Sequence, residues 1–225
     1  GKTAAATAFY RHFSGDGERA GCLLLVPNAP AAAAARRRLL DDSPAGVVVG
    51  PRVMTFAALG ARLLAAAGDE GHAITPLQRH LLLRRVVQEL HADKALSALK
   101  GVVDTPGLVA ALDRAIAELK RAAVEPEALR RAVGAAGLRT PAGDLWRVYD
   151  AYQRRLREAR LYDVEGQMWQ ARDLLAGAGE GADVLGALAG VRALAADGFT
   201  DFTPTQLAIL DLLAGRLERV LVTLP

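Results

Sequence analysis

Cysteine is almost absent from this chain, which has Cys22 alone among its 225 residues. One cysteine excludes an internal disulfide and fits a reducing cytoplasm. The 4 histidines show no HExxH spacing, so no zinc site is supported. No apolar run is long enough to span a membrane, and no basic-then-apolar leader is present. We therefore expect a cytoplasmic protein with no membrane partner.

The chain also has few serines and a small net charge. The serines are Ser14, Ser43 and Ser97, and none lies in a G-x-S-x-G sequence, which excludes a nucleophile elbow. The formal net charge is only +3, so overall charge does not demand a nucleic-acid partner. With 52% hydrophobic residues, the chain can bury a core of ordinary size.

The chain opens with Gly1, Lys2 and Thr3, followed by an alanine-rich stretch that predicts a helix. In G-x-x-x-x-G-K-[ST], backbone N–H groups cradle phosphate oxygens, the lysine reaches the outer phosphates and the hydroxyl holds Mg²⁺. Only the end of such a loop is present, so an ordinary N-terminus is an equal alternative for the tripeptide alone. Because the chain begins on Gly and ends on a strand-like run, we expect truncation at both ends.

Apolar runs at 22–27, 191–197 and 219–224 predict buried strands of one parallel sheet. A fourth run, at 46–56, is broken by glycine and proline. From 69 to 185 the pattern is helical, with helices expected to begin at Thr-Pro pairs. The predicted α/β domain therefore comprises 1–68 and 186–225, and 69–185 is an all-helical insertion. Finding the three strands in separate sheets, or a sheet inside the insertion, would contradict this fold.

One predicted helix of the insertion has two distinct faces. An apolar stripe runs along it, formed by Leu145, Val148, Tyr149, Tyr152 and Leu156. Its arginines lie largely off that stripe, at positions 147, 154, 155, 157 and 160. They fit either a contact with a phosphate backbone or a solvated surface over a packed core.

The order of motifs resembles the first motor domain of superfamily 1, UvrD-like DNA helicases. After GKT come a strand ending in "VPN", the stretch "VMTFAALGARLL", a helical block, "LYDVEGQMWQA" and "ADGFTDFTPTQ". The stretches "DGFTDFTPTQ", "TPGLVAALDRAIAELK" and "VYDAYQRRLREARLYD" are more similar to the B subunit of bacterial ATP-dependent helicase/deoxyribonucleases, the AddB or RexB type. The resemblance covers nearly the whole chain.

This resemblance implies a RecA-like P-loop NTPase fold in a helicase-nuclease subunit. Its expected partners are DNA and an A subunit, and its expected role is double-strand end processing, recombinational repair and recognition of Chi in single-stranded DNA. It implies that Gly1, Lys2, Thr3 and Asp197 bind Mg-ATP, with Thr3 and Asp197 on the metal. The family's PD-(D/E)XK nuclease and its iron-sulfur cluster belong to a region beyond this chain.

The resemblance also places Asn28, Thr55 and Phe56 beside single-stranded DNA, although Phe56 fits core packing equally well. Arg36, Arg37 and Arg38 are either phosphate contacts or a solvated run.

The ATP site departs from that of an active helicase at one position. Helicases carry Asp-Glu where this chain has Asp197 and Gly198. The aspartate holds Mg²⁺ and the glutamate activates water, so we expect nucleotide binding with inefficient hydrolysis and no catalytic residue in this chain. Asp201 is a less favoured substitute carboxylate. An active ATP-dependent helicase and a nucleotide-binding regulator that never contacts DNA stay open as alternatives.

Overall fold

The computed structural model describes residues 1–14, 21–43, 50–134, 139–178 and 186–223. The chain forms two compact units, Gly1–Asp69 with Met168–Pro225, and Glu70–Gln167. Among the described helices, none combines the length and the apolar character needed to cross a bilayer.

The first unit is built on a four-stranded parallel sheet with the order β2-β1-β5-β6. The strands are β1 (Cys22–Leu25), β2 (Val53–Met54), β5 (Ala193–Ala196) and β6 (Arg219–Val222). The three predicted strands therefore lie in one parallel sheet, as expected, although each is shorter than its apolar run. Within the fourth run, 46–49 lies outside the described residues and the end of the run forms β2.

Helices cover both faces of this sheet because its strands are apolar on both sides. Cys22 and Leu24 pack with α1 (Lys2–Ser14) and α2 (Ala29–Asp41) on one face. Leu23 and Leu25 pack on the other face with α3 (Phe56–Ala66), α8 (Val164–Gly177) and α9 (Pro204–Ala214). This three-layer arrangement is typical of α/β proteins with parallel sheets.

The second unit is mainly helical. Its long elements are α4 (Pro76–Ala92), α5 (Pro106–Arg121), α6 (Pro126–Gly134) and α7 (Pro141–Glu158). Residues from α4, α5 and α7 form its core, including Leu83, Ile116 and Tyr149, which are fully buried. The predicted apolar stripe of α7 is confirmed, because four of its five members are buried and Leu145 packs against the same core.

A short parallel ladder inside this unit corrects the prediction of an all-helical insertion. Strand β3 (His72–Ala73) pairs with β4 (Leu161–Tyr162), where the chain enters and leaves the helical block. Strands of two residues leave no recognisable alternation in the sequence, so the pattern could not reveal them. By the condition stated above, this ladder contradicts the predicted fold in its all-helical insertion, whereas the parallel arrangement of the three main strands in one sheet agrees with the prediction.

The helical unit also ends earlier in the chain than predicted. The predicted boundary, residue 185, lies outside the described residues. The compact unit ends at Gln167, within α8. Met168, Ala171 and Leu175 of that helix are buried in the core beneath the sheet. The helical periodicity of the sequence continues across this point, which is why composition alone placed the boundary later.

Threonine-proline pairs begin several helices, as the sequence predicts. Thr75 and Gln78 form a reciprocal capping box at α4, and Thr140 caps α7 through the Gly143 N–H. At α5 the expected side-chain cap is missing, because the hydroxyl of Thr105 donates to the carbonyl of Val102 instead. The Thr-Pro pair therefore fixes where a helix begins without always supplying its cap.

The basic face of α7 is a surface of ion pairs. Arg147, Arg154 and Arg155 of α7, and Arg160 just after it, each contact a carboxylate within the unit, while Arg157 donates to the Gln153 carbonyl. This arrangement favours a solvated surface over a DNA contact, since four of the five charges are compensated locally.

Two buried carboxylates hold the segments of the helical unit together. Asp163, between β4 and α8, accepts from Lys120 at 2.6 Å, from the Tyr152 hydroxyl at 3.0 Å and from the Gly166 N–H at 2.8 Å. Asp144 accepts from the backbone N–H groups of the 97–99 segment. Burial raises the pKa of Asp144, but these three hydrogen bonds outweigh it and leave that pKa below its ordinary value.

Candidate functional site

Helix α1 presents the first candidate residues. Its last turns lie near the amino ends of the strands: the Arg52 N–H, just before β2, donates to the Tyr10 hydroxyl at 2.9 Å, and Gly21, just before β1, lies against the Phe13 carbonyl. The helix packs on β1 and β5. Because an α-helix is straight over this length, its opposite end, with Gly1, Lys2 and Thr3, is directed toward the carboxyl ends of the strands.

The first turn of α1 has the groups that an anion needs. The helix begins at Lys2, so the N–H groups of its first turn have no partner within the helix. The lysine side chain is exposed and Thr3 is half-buried. The positive end of the helix dipole and a lysine ammonium together favour a phosphate at this place.

Asp197 lies directly after β5 and is held firmly there. Its N–H donates to the Leu25 carbonyl at 3.0 Å, and its Oδ1 accepts from the Thr223 hydroxyl at 2.5 Å. The side chain is nearly buried, and its Oδ2 accepts no hydrogen bond from the residues that the structure describes. A fixed carboxylate oxygen of this kind is the ligand type that Mg²⁺ prefers.

At Gly198 the backbone conformation, as well as the missing side chain, distinguishes this chain from an active helicase. Its φ is +80°, a conformation that residues with a Cβ rarely adopt. A Cβ added there would lie 3.7 Å from Cδ of Pro27, which is ordinary van der Waals contact. The backbone conformation, and not lack of space, therefore favours glycine at this position.

Asp201 is the alternative carboxylate nearby. It is exposed and accepts a hydrogen bond from its neighbour Thr200 at 3.2 Å. A solvated carboxylate with a local partner lacks the fixed orientation that water activation needs.

Asn28 and Thr55 both follow strands and both cap helices. Oδ1 of Asn28 accepts from the Ala31 N–H at 2.9 Å at the start of α2. Oγ1 of Thr55 accepts from the Ala58 N–H at 3.2 Å at the start of α3. The carboxyl ends of β1 and β2 thus carry the two polar side chains that the resemblance assigned to DNA, each with a structural task as well.

Phe56 is part of the core, which corrects its assignment as a DNA-stacking residue. Its exposed fraction is 4%, and its ring packs edge-on against Phe199 and Phe202 at centroid distances of 5.5 and 6.2 Å. A base cannot reach the face of a buried ring. The core-packing alternative therefore applies.

Comparison with known proteins decides the family. The family model described as "ADDB, N-terminal" matches residues 1–225. This chain belongs to that family.

Three relatives in this AddB family are each named as the B subunit of an ATP-dependent helicase/deoxyribonuclease. One from Desulfitobacterium hafniense is 29% identical over 211 residues, which are 90% of this chain and 16% of the relative. One from Exiguobacterium sibiricum is 34% identical over 99 residues, 42% of this chain and 8% of the relative. One from Desulforamulus reducens is 25% identical over 186 residues, 79% of this chain and 15% of the relative. The chain thus spans a small part of these AddB proteins.

The support of Asp197 is the feature of this AddB region that sequence reasoning missed. Thr223 follows β6 and lies 26 positions from Asp197, yet its hydroxyl and its N–H both bind the end of β5. The signal was the threonine in the final "VTLP", since parallel neighbouring strands bring their carboxyl ends to one edge.

Proposed function

We propose that this chain is the nucleotide- and DNA-contacting part of a helicase-nuclease B subunit that processes double-strand DNA ends in recombinational repair. Family membership and the names of the relatives support the assembly with a partner subunit. The single observation that carries the detailed proposal is the junction after β5, where a fixed Asp197 is followed by Gly198 at φ +80°.

The proposed fold is a RecA-like P-loop domain. Lys2 and Thr3 lie at the start of α1, and Asp197 directly follows β5, which is the strand beside β1 in the parallel order β2-β1-β5-β6. Right-handed crossovers with α1 and α2 on one face would put a strand that precedes α1 on the β6 side of β1. The outer strand β6 has half-buried Val220 and Leu221 and no neighbour on that side among the described residues, which supports this arrangement.

The residues present fit Mg-ATP. The Thr3 hydroxyl and the Asp197 carboxylate are oxygen ligands for Mg²⁺, which supplies charge neutralisation at the phosphates when bound. Lys2 and the first-turn N–H groups of α1 would hold phosphate oxygens. Nothing follows Asp197 to orient a water, because Gly198 has no side chain. Loss of such a group costs on the order of 10²–10⁴ in rate, so the site holds nucleotide and turns it over slowly.

For DNA, the proposed contacts at the carboxyl edge are Asn28 and Thr55. Oδ1 of Asn28 serves the helix cap, while its amide nitrogen donates to none of the described residues. Polar side chains at this edge would contact the backbone of a single strand, including the strand that carries Chi, with little sequence preference of their own.

The nucleotide test uses the full-length protein and a fluorescent ATP analogue with Mg²⁺. Lys2→Ala should weaken binding by about tenfold or more, because it removes the ammonium group proposed to hold the phosphates. Arg11→Ala is the matched control, since it removes an exposed positive charge from the other end of α1. Equal effects of the two substitutions would contradict the proposed site.

The DNA test separates a repair subunit from a pure nucleotide-binding regulator. Binding of a fluorescent single-stranded oligonucleotide is measured between 50 and 300 mM salt. A DNA-contacting subunit should bind with affinity that falls steeply as salt rises. No binding at the lowest salt would support the regulator instead.

A further inference from the structure

A basic cleft runs beside β2, the outer strand of the sheet. Its volume is about 910 Å³, and its lining comes from β2, α2, α3 and the segment before β5. Three arginines line it, Arg36, Arg52 and Arg62, and the described lining includes no carboxylate. Gly50 and Gly186 of the lining precede β2 and β5. The cleft therefore includes chain segments on the amino side of these strands, whereas Asp197 follows the carboxyl end of β5.

Backbone carbonyls, which are neutral, hold the three guanidinium groups in place. Arg36 donates to the Val53 carbonyl at 2.5 Å. Arg62 donates to the Ala187 carbonyl at 3.0 Å, and Arg52 to the Ala189 carbonyl at 2.8 Å. Arg36 and Arg62 form no ion pair with a described carboxylate, in contrast to the arginines of α7. A guanidinium group has five N–H donors, so the contacts of Arg36 and Arg62 orient their charges without compensating them.

The same contacts make the edge of β2 unsuited to an added polypeptide strand. The carbonyls of Arg52 and Met54 accept from β1, so the peptide groups of Val53 between them face away from β1. Arg36 occupies the outward carbonyl of Val53. Blocking an edge with a charged side chain is a common way to prevent strand pairing, and a polyanion suits the remaining charge better than a peptide.

We propose that this cleft binds the sugar-phosphate backbone of single-stranded DNA, with Arg36 and Arg62 contacting phosphates. The proposal rests on the DNA-contacting role given above and adds a second contact surface to it. One guanidinium group can donate two parallel hydrogen bonds to the oxygens of one phosphate. The half-buried Pro51 and Met54 offer an apolar wall for a sugar or a base, and the cleft volume falls in the range of sites for small ligands, which suits one or two nucleotides.

The binding test compares matched double variants of the full-length protein in complex with its partner subunit. Arg36→Gln with Arg62→Gln removes two cleft charges. Arg37→Gln with Arg38→Gln removes two exposed charges of α2 outside the cleft. A fluorescent oligo-dT is titrated from 0.05 to 0.5 M salt. The cleft variant should lose about 1.4 from the slope of log K against log salt and bind about 25-fold more weakly at 0.1 M, while the control should change little.

A conservative variant separates charge from structure. Arg36→Lys with Arg62→Lys keeps both charges and loses the guanidinium geometry, so the salt slope should stay close to that of the unmutated protein. An unchanged slope in the glutamine variant, or an equal loss in the Arg37 and Arg38 control, would overturn the cleft as a phosphate site.

Photo-crosslinking gives a local readout that needs no change to the arginines. Benzoylphenylalanine replaces Ala189, which is exposed in the cleft before β5, or Ala34, which is exposed on α2 outside it. Labelled oligo-dT should crosslink at Ala189 and hardly at Ala34. Crosslinking of Ala189 to the partner polypeptide instead of DNA would overturn the proposal in favour of a protein interface. If the unmutated complex binds no oligonucleotide, both proposals fail; if it binds but Ala189 does not crosslink, only the cleft fails.

Discussion

The buried Lys120–Asp163 pair yields a quantitative prediction for the helical unit. Both side chains are essentially inaccessible, with exposed fractions of 0% and 1%, and their charged atoms lie 2.6 Å apart. Burial lowers the pKa of Lys120, and the facing carboxylate opposes that shift. Asp163→Asn keeps an oxygen that can accept from the Gly166 N–H but removes the negative charge. Leaving a buried cation without its counter-charge costs about 3–5 kcal/mol.

Tryptophan fluorescence allows this unit to be followed by itself. The chain has 2 tryptophans; Trp146 lies in α7 of the helical unit and Trp169 lies in the sheet unit. In chain 1–225 by itself, in a Trp169→Phe background, urea unfolding followed through Trp146 should show the full loss for Asp163→Asn. Glu118→Gln, which removes an exposed partner of Arg121, is the control and should change little.

Adding Lys120→Met to Asp163→Asn should recover most of the lost stability, because no buried charge is then left without a counter-charge. If Asp163→Asn unfolds at the same urea concentration as the Glu118→Gln control, the pair does not hold the unit together. If the double variant is no more stable than Asp163→Asn, the loss has a cause other than uncompensated charge.

Three further predictions concern single positions. Gly198→Ala should lower the free energy of unfolding by about 1–2 kcal/mol, because φ is +80° there. Gly215→Ala, at φ −67°, should show no loss in the same urea assay. Burial raises the pKa of the Cys22 thiol from 9.0 to about 12. The thiol's contribution to the free energy of unfolding is therefore complete below pH 9 and is lost as the pH rises toward 12. Cys22→Ala should flatten stability measured between pH 8 and 11. Asp144→Ala should cost about 2–3 kcal/mol by calorimetry, since three backbone N–H groups lose their acceptor.

Much of the fold could be predicted from local patterns in the sequence. The strands around Leu24, Leu194 and Val220 follow from apolar runs, and the helix at Thr75 follows from its capping box, since both signals depend on neighbouring residues alone. The β3–β4 ladder could not be predicted, because pairing of two-residue strands depends on how the surrounding helices pack.

The residues of the candidate site could be predicted from the sequence, but the contacts that hold them in place could not. Asp197 followed from a strand end and a family motif, but its hydrogen bond from Thr223 depends on the order of strands in the sheet. Phe56 was ambiguous because an aromatic residue after a strand suits both a core and a stacking surface. Arg36 and Arg62 lie on different helices, so only the folded chain reveals that they share a cleft.

The most direct test of the central claim is DNA-stimulated ATP turnover by the full-length protein in the absence of its partner subunit. Nucleotide binding is measured on the same sample. With Lys2, Thr3 and Asp197 in place and Gly198 where the activating carboxylate would be, we predict Mg-ATP binding with little hydrolysis, so that DNA unwinding depends on the partner's motor. Gly198→Glu should not simply restore turnover, because glutamate is strained at φ +80°. Substantial single-strand-stimulated hydrolysis by the unmutated protein, abolished by Lys2→Ala, would show that the site is that of a working helicase.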